Sequence, residues 1–179
     1  MATPTMLSTI SPETIKKGFK EIMDDEAQHV SFFQTALKRA GVTPRPKPTF
    51  KGLAQTELED FMAMSSMLEN AGVGAFLMAM PAISDTNATA AAASIATIEA
   101  RHAGFVNALV GKPLSESAFD KPISQNTIVD AVSPFIESLN DGPDPADELN
   151  SDPVILNFAL LLEHLEAEFY RVNVPRLFE

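Results

Sequence analysis

The sequence predicts an all-α protein built as a four-helix bundle, with long crossover connections and a short extra helix. Two observations carry this prediction. Apolar residues recur at helical spacing of about 3.6 residues along four long stretches, and runs typical of strands are almost absent. With 179 residues, the chain is most simply one domain, residues 1–179, with a sizeable core.

Each predicted helix is bounded by start and stop signals. The four bundle helices cover about residues 12–40, 53–80, 85–110 and 152–174, and a short outer helix covers about 124–139. The predicted starts are Ser11 with Pro12, Asp85 or Thr86, and Ser151 or Asp152 with Pro153. The predicted ends are Gly41, Pro81, Gly111 and Pro175.

The connections predict how the helices run. Residues 80–85 form a short link, so the second and third helices should be antiparallel neighbours. Residues 41–52 carry three prolines, and an extended segment of this length reaches roughly 36 Å. Because a helix of about 25 residues is about 38 Å long, this connector can cross the bundle and leave the first two helices parallel. Residues 112–150 are long enough to form a second crossover.

Composition excludes several classes of function. The formal charge of −11 argues against nucleic acid and anionic membranes as partners, and the chain contains no cysteine for disulfides, thiolate ligands or nucleophilic catalysis. No uncharged apolar run reaches the ~18 residues of a membrane span, and residues 1–11 do not read as a signal peptide. The sequence as it stands therefore predicts a cytoplasmic protein, or an exported (periplasmic) one if a signal sequence was removed.

Two Glu-x-x-His motifs are the most informative feature of the chain. One is Glu26–His29 and the other is Glu99–His102, and together they contain two of the three histidines. Residues three apart share one face of a helix, so each motif points a carboxylate and an imidazole at the same place. Two such motifs, plus a lone Glu from each of two further helices, form the ligand set of di-iron and di-manganese carboxylate bundles.

Further carboxylates interrupt the apolar faces of the other two helices. Glu69 lies on the apolar face of the second helix, and Glu163 and Glu166 lie on that of the last. Several carboxylates in one core are tolerable only if they are protonated, paired with cations or bound to metal. A hydrogen-bonded Glu–His network without metal is the structural alternative. Asp24 and Asp25, which precede Glu26, are either solvated or outer partners of a ligand.

These residues resemble the ferritin-like superfamily, most closely the family that includes bacterial exported members, fungal homologues and plant desiccation-related proteins. The likeness rests on the segments 25–33, 69–74, 90–102 and 155–170. The order differs from that of the family, because the segment similar to the family's first helix, around Glu163 and Tyr170, comes last. The chain therefore looks circularly permuted. A homodimer, with the last helix exchanged between copies, would satisfy the same sequence.

The resemblance implies roles for these residues. Glu26 and Glu99 would bridge two metal ions, iron in the first place and manganese as the alternative, while His29 and His102 would each bind one ion. Glu69 would be the lone ligand of the second helix. On the last helix the choice between Glu163 and Glu166 stays open, although Tyr170 at +7 from Glu163 matches a spacing seen in ferritins and bacterioferritins. Tyr170 would supply an electron or orient a ligand.

Three functions follow from the resemblance. The first is Fe(II) oxidation by dioxygen or peroxide in stress defence. The second is a catalase-like or substrate-oxidising di-metal enzyme. The third is a non-catalytic stress or interaction protein that keeps the bundle, with or without metal.

Overall fold

The computed structural model describes residues 10–178 and confirms the all-α fold. Its helices are α1 (Pro12–Arg39), α2 (Leu58–Ala79), α3 (Thr86–Leu109), α4 (Gln125–Val132) and α5 (Asp152–Phe178). Two short strands, β1 (Thr49–Phe50) and β2 (Ile136–Ser138), lie in the two long connections. Single 3₁₀ turns follow α2 and α4.

The start and stop signals of α1 and α3 act as the sequence predicts. The Ser11 hydroxyl accepts a hydrogen bond from the Thr14 amide at 3.2 Å, and the Asp85 carboxylate accepts one from the Ala88 amide at 2.8 Å. Gly41 and Gly111 follow the helix ends with φ of +74° and +75°. Only glycine adopts this conformation freely, so these residues end the helices.

The predicted start of α2 was wrong by five residues, since α2 begins at Leu58 and not at about residue 53. Asn173 of α5 is the physical reason. Its amide donates to the Leu53 carbonyl at 2.9 Å, and its side-chain oxygen accepts from the Gln55 amide at 2.8 Å. These bonds hold the backbone before α2 in an extended path against α5.

Two other predicted boundaries were wrong. The outer helix ends at Val132 and not near residue 139, because a 3₁₀ turn containing Pro134 leads into β2. The last helix passes through Pro175 to Phe178. Its extra turn is held by packing, since the Phe178 ring lies 5.3 Å from that of Phe19 and 5.8 Å from that of Phe61.

Ring pairs between α1 and α2 show that these helices run parallel. Phe19 packs on Phe61 with ring centroids 4.7 Å apart, and Phe33 packs on Phe76 at 6.2 Å. The residue nearer the start of α1 packs on the residue nearer the start of α2, and the later residue of α1 packs on the later residue of α2. The proline-rich connector therefore crosses the bundle, as predicted.

The other neighbours are antiparallel. Early in α1, Phe19 meets Phe178 at the end of α5, and further along α1, His29 meets Glu163. Between α2 and α3, Ser66 bonds to Asn107, near the end of α3. Gly72, further along α2, faces Glu99.

The two crossovers contact each other on the outside of the bundle. β1 pairs antiparallel with β2, with Thr49 opposite Ser138 and Phe50 opposite Ile136. Nearby, the buried Arg45 guanidinium donates to the backbone carbonyls of Asn157, at 3.2 Å, and Pro143, at 3.1 Å. Both crossovers are thereby attached to each other and to α5.

The apolar core is divided by a polar layer. Along α1, Phe19 and Ile22 belong to one hydrophobic cluster and Phe33 and Leu37 to another. The motif Glu26–His29 lies between them. The polar residues of the core are thus enclosed by apolar packing on both sides, where water is scarce. Within residues 10–178, no helix has the length and apolar content needed to cross a membrane.

Candidate metal centre

All seven predicted ligands are buried and lie in the polar layer of the core. Their exposed fractions range from 0% to 8%. They are Glu26 and His29 on α1, Glu69 on α2, Glu99 and His102 on α3, and Glu163 and Glu166 on α5. Each helix presents them inward because they stand at helical spacing on its apolar face.

One half of the cluster surrounds His29. Its Nδ1 lies 3.2 Å from a carboxylate oxygen of each of Glu26, Glu99 and Glu163. One potential ligand atom from each of these four residues lies within 4.8 Å of the others. We refer to Glu26, His29, Glu99 and Glu163 as the His29 set.

The other half surrounds His102. Its Nδ1 lies 3.0 Å from Glu26 Oε1 and 3.4 Å from Glu69 Oε2. Glu26, Glu69, Glu99 and His102 again offer four atoms within 4.8 Å of one another, and we call them the His102 set. The two sets share Glu26 and Glu99, and the two imidazole rings are 6.5 Å apart.

Glu166 is buried beside the cluster but belongs to neither set. A small cavity of about 10 Å³ lies next to it, lined mainly by apolar residues of α2 and α5 together with Glu163 and Glu166. Gly72 forms one wall. A Cβ at this position would lie 2.8 Å from Glu99 Oε2 and 3.4 Å from Glu166 Oε1, so a side chain there would press on both carboxylates.

Tyr170 contacts the cluster through Glu69. It is fully buried, and its hydroxyl donates a hydrogen bond to Glu69 Oε1. Burial and the adjacent charge of Glu69 raise the pKa of Tyr170 well above its usual value. The phenol therefore keeps its proton and fixes the orientation of Glu69.

Asp25 has the outer-partner position that the sequence left undecided. Its Oδ2 lies 3.3 Å from His102 Nε2, and its side chain is 33% exposed. Carboxylates at the outer nitrogen of a metal-binding imidazole commonly fix its orientation. Sequence position alone could not distinguish this residue from its neighbour Asp24, which pairs with Lys20 on the surface.

Burial and mutual repulsion oppose the ionisation of most of these carboxylates. The pKa values of Glu99 and Glu166 are raised well above the usual range, that of Glu69 is raised, and that of Glu163 is raised to about 8. In each case burial is the largest cause, and the charge of Glu26 adds to it.

The histidines and Glu26 stabilise each other's charge. Although burial opposes it, the adjacent imidazoles of His102 and His29 lower the pKa of Glu26 to about 2. Although burial also opposes it, the adjacent carboxylates of Glu26 and Glu69 raise the pKa of His102 to about 11, and the pKa of His29 is raised by Glu163, Glu26 and Glu99. Protons thus compensate part of the negative charge of the metal-free cluster.

Protons and internal hydrogen bonds do not satisfy every ligand atom. Eight buried side-chain atoms of the described residues lack a hydrogen-bond partner, and six of them belong to this cluster. They are Glu26 Oε1, Glu69 Oε2, both oxygens of Glu99, His102 Nδ1 and Glu163 Oε2. These atoms converge, and metal cations bound among them would satisfy the oxygen and nitrogen atoms that a Glu–His network leaves without a hydrogen-bond partner.

The third histidine lies outside the cluster. His164 is 4% exposed and belongs to neither set. Burial and the charges of Lys47 and Arg45 lower its pKa to about 4, so its imidazole is neutral at pH 7. Its position agrees with the sequence, in which it stands beside Glu163 and therefore points off the inner face.

Comparison with known proteins adds one finding. A model of the ferritin-like domain matches residues 3–112, more than half of the chain. No curated protein and no solved structure matches.

Proposed function

Because the chain belongs to the ferritin-like domain family, we propose that its buried Glu–His cluster binds two metal ions for redox chemistry. The observation that carries the proposal is the pair of overlapping four-residue sets, each with one imidazole and three carboxylates, which share Glu26 and Glu99. A single ion needs one such set, whereas two overlapping sets suit two neighbouring ions with shared carboxylates.

The donor chemistry favours iron, with manganese as the alternative. All donors are carboxylate oxygens or imidazole nitrogens and none is a thiolate, a combination that suits these metals. Charge supports the same conclusion. The five carboxylates carry −5 when ionised, and two divalent ions would reduce this formal charge to −1, which lowers the cost of burying them.

We assign the ligands by their place in the sets. In this proposal the His29 set holds one ion and the His102 set holds the other, with Glu26 and Glu99 common to both. Glu163 serves as the α5 ligand, since it belongs to the His29 set and Glu166 belongs to neither. Glu166 then lies at the edge of the small cavity, where it can accept or release a proton.

When bound, an iron or manganese pair would supply electrons for the reduction of dioxygen or peroxide, which we propose as substrates. The residues of the chain provide the surroundings. The cavity beside Gly72, of about 10 Å³, has room for a molecule about the size of water. Its lining is mainly apolar, together with Glu163 and Glu166. Tyr170 orients Glu69, and the apolar clusters on either side of the layer exclude bulk water. A role in stress defence follows from this chemistry.

We further propose that the chain is circularly permuted relative to its family, with α5 in the place of the family's first bundle helix. Two observations support this. The family match ends at residue 112, before α5 begins, and yet α5 packs along α1 and brings Glu163 into the His29 set. Deleting α5 should therefore abolish two-metal binding, and retention of both ions by a folded chain lacking α5 would contradict this assignment.

The direct test is elemental analysis of protein purified without chelator and then reconstituted with Fe(II) or Mn(II) in the absence of oxygen. We expect two metal atoms per chain, and about none in the double variant Glu26→Gln/Glu99→Gln. Glu59→Gln, an exposed glutamate of α2, is the matched control and should keep both. A folded wild-type chain that binds no metal would overturn the proposal and leave the non-catalytic stress or interaction role.

Oxygen consumption on addition of Fe(II) then tests the reaction, and peroxide disproportionation by the Mn(II) form tests the catalase-like alternative. Two bound metals with neither activity would keep the binding site and reject the redox function.

A further inference from the structure

A second, larger cavity lies away from the Glu–His cluster. It is an open cleft of about 790 Å³ between α2, α3, α4 and the segment 112–123, and none of the seven predicted ligands lines it. Its volume falls in the range of small-molecule sites, roughly 300–1,000 Å³. Ala71 and Ala100, both partly exposed, form part of its wall, so apolar surface is available without bulky side chains.

The floor of the cleft is a buried polar network. Asn70 and Asn107 exchange side-chain amide hydrogen bonds at 2.9 and 3.1 Å, and the Ser66 hydroxyl donates to Asn107 Oδ1 at 2.9 Å. Ser66 is fully buried and Asn107 is 4% exposed. One amide hydrogen of Asn107 Nδ2 has no partner among these contacts. The floor of the cleft is thus a hydrogen-bonded polar network in which Asn107 Nδ2 retains one N–H that makes none of these hydrogen bonds.

Lys112 brings a positive charge to this floor. Its Nζ donates to the Ser66 hydroxyl at 2.9 Å, which uses one of the three ammonium hydrogens. Among residues 10–178, this ammonium forms no salt bridge. Glu116, Asp120 and Lys121 also line the cleft, and these three side chains are exposed, as is Lys112. Lys112 differs from them in its hydrogen bond to the buried network. The two remaining donors of Lys112 and its charge are available to a ligand.

The covering segment adds exposed apolar side chains. Leu114 is 66% exposed and Phe119 is 83% exposed, and both line the cleft. Among the described residues, Phe32 is the one other large apolar side chain that is exposed. Apolar side chains concentrated at the mouth of a cleft commonly mark a binding site.

We propose that this cleft binds a small amphipathic organic anion, a carboxylate with a hydrocarbon body. The carboxylate accepts hydrogen bonds from the Lys112 ammonium and the free amide hydrogen of Asn107. The hydrocarbon body lies along Ala71 and Ala100, and Leu114 and Phe119 cover it. The site is separate from the metal centre, so it stands whether or not metal binds there.

Isothermal titration of the full chain with decanoate, below its micelle concentration, tests the proposal. We expect saturable binding of one decanoate per chain and binding of decanol weaker by about tenfold or more, because the alcohol lacks the charge that Lys112 pairs with. Lys112→Met should weaken decanoate binding by a similar factor, whereas Lys17→Met, an exposed lysine of α1, should not change it.

Amide chemical shifts of the wild-type chain locate the ligand independently of any variant. Decanoate should shift the amides of Ala100, Ala103 and Asn107 and leave those of the α1 surface unchanged. No binding, equal affinity for decanol and decanoate, or shifts confined to other parts of the chain would each overturn the proposal.

Discussion

Asp25 and His102 are joined across α1 and α3 by a contact of 3.3 Å between Oδ2 and Nε2. The opposite nitrogen, Nδ1, faces Glu26 and Glu69. In the metal-free protein both ring nitrogens hold protons, and an N–H at Nε2 that donates to Asp25 keeps Nδ1 directed at the cluster, where it would give up its proton to bind a metal ion. The partly exposed carboxylate of Asp25 thereby fixes the orientation of the buried His102 imidazole.

We therefore expect Asp25→Asn to weaken binding of one of the two metal ions by roughly 10- to 100-fold, because the His102 ring loses its charged partner. Anaerobic titration with Fe(II) or Mn(II), followed by calorimetry, would separate a weakened first ion from an unchanged second. Asp24→Asn, at the neighbouring surface position, is the control and should bind both ions normally. Identical affinities for the two variants would show that Asp25 does not position His102.

Gly72→Ala should disturb the cluster from the α2 side. The new methyl group would lie 2.8 Å from Glu99 Oε2 and would narrow the cavity beside Glu166. We expect Fe(II) oxidation to slow on the order of tenfold, since displaced ligands lose their productive geometry. Stopped-flow absorbance would measure the rate.

Gly104→Ala is the matched control for this substitution. The nearest atom to its new methyl group, outside the neighbouring turns of its own helix, is 3.8 Å away. An unchanged oxidation rate in Gly72→Ala would mean that neither the cavity nor the position of Glu99 limits the reaction.

Tyr170 provides an optical signal as well as a hydrogen bond. The chain contains one tyrosine and no tryptophan, so its tyrosine fluorescence comes from Tyr170 alone. We expect stoichiometric Mn(II) or Fe(II) to change this fluorescence, because the phenol donates to Glu69 in the His102 set. Metal addition that leaves the emission unchanged would place the bound ions away from Glu69.

Tyr170→Phe should keep both metal ions and slow Fe(II) oxidation by roughly tenfold. The substitution removes only the hydroxyl that orients Glu69. A loss of metal binding would give this residue a larger structural role, and an unaltered rate would remove it from the reaction.

The stability of the metal-free protein should decrease between pH 6.5 and pH 8. The pKa of Glu163 is raised from 4.5 to about 8, so its stabilising contribution is full below 4.5 and is lost as the pH rises through 8. The pKa of His102 is raised from 6.5 to about 11, so its contribution begins to fall above 6.5. Glu26, with a pKa lowered to about 2, contributes equally across this range.

Thermal unfolding in the presence of a chelator, followed by circular dichroism, would measure this slope, and Glu163→Gln should reduce it. The ligands must lose protons to bind metal, so metal affinity should rise with pH. The stability of the metal-bound protein should therefore increase from pH 6.5 to pH 8, opposite to that of the metal-free protein. A melting temperature of the chelated protein that rises from pH 6.5 to pH 8 would contradict the assigned protonation of the cluster.

Asn173→Ala should destabilise the protein by about 1–3 kcal/mol. The substitution leaves the Leu53 carbonyl and the Gln55 amide without their partner on α5. Urea unfolding would measure the difference against Asn87→Ala, an exposed position of α3. Equal stabilities for the two variants would show that the segment before α2 is held by other contacts.

Features set by helical periodicity could be predicted from the sequence. Glu26 and His29 share a face because they are three residues apart, and Ser11 and Asp85 are helix caps through bonds to amides three residues away. These relationships are local. The placement of the predicted ligands on the apolar faces therefore followed from spacing alone.

Features set by contacts between distant segments could not be predicted in this way. The start of α2 depends on Asn173, more than a hundred residues away, and the pairing of β1 with β2 joins two segments that are far apart in the chain. The extra turn of α5 depends on Phe19. The proposed choice of Glu163 over Glu166 also rests on the three-dimensional arrangement, because both residues lie on the inner side of the same helix.

The position of α5 in the chain has a consequence for biosynthesis. The His102 set comes entirely from α1, α2 and α3, whereas the His29 set is incomplete without Glu163 of α5. On the ribosome, the first three helices leave the exit tunnel before α5 exists. The nascent chain thus carries one complete half of its cluster, and the second half appears only when the last helix docks against the first.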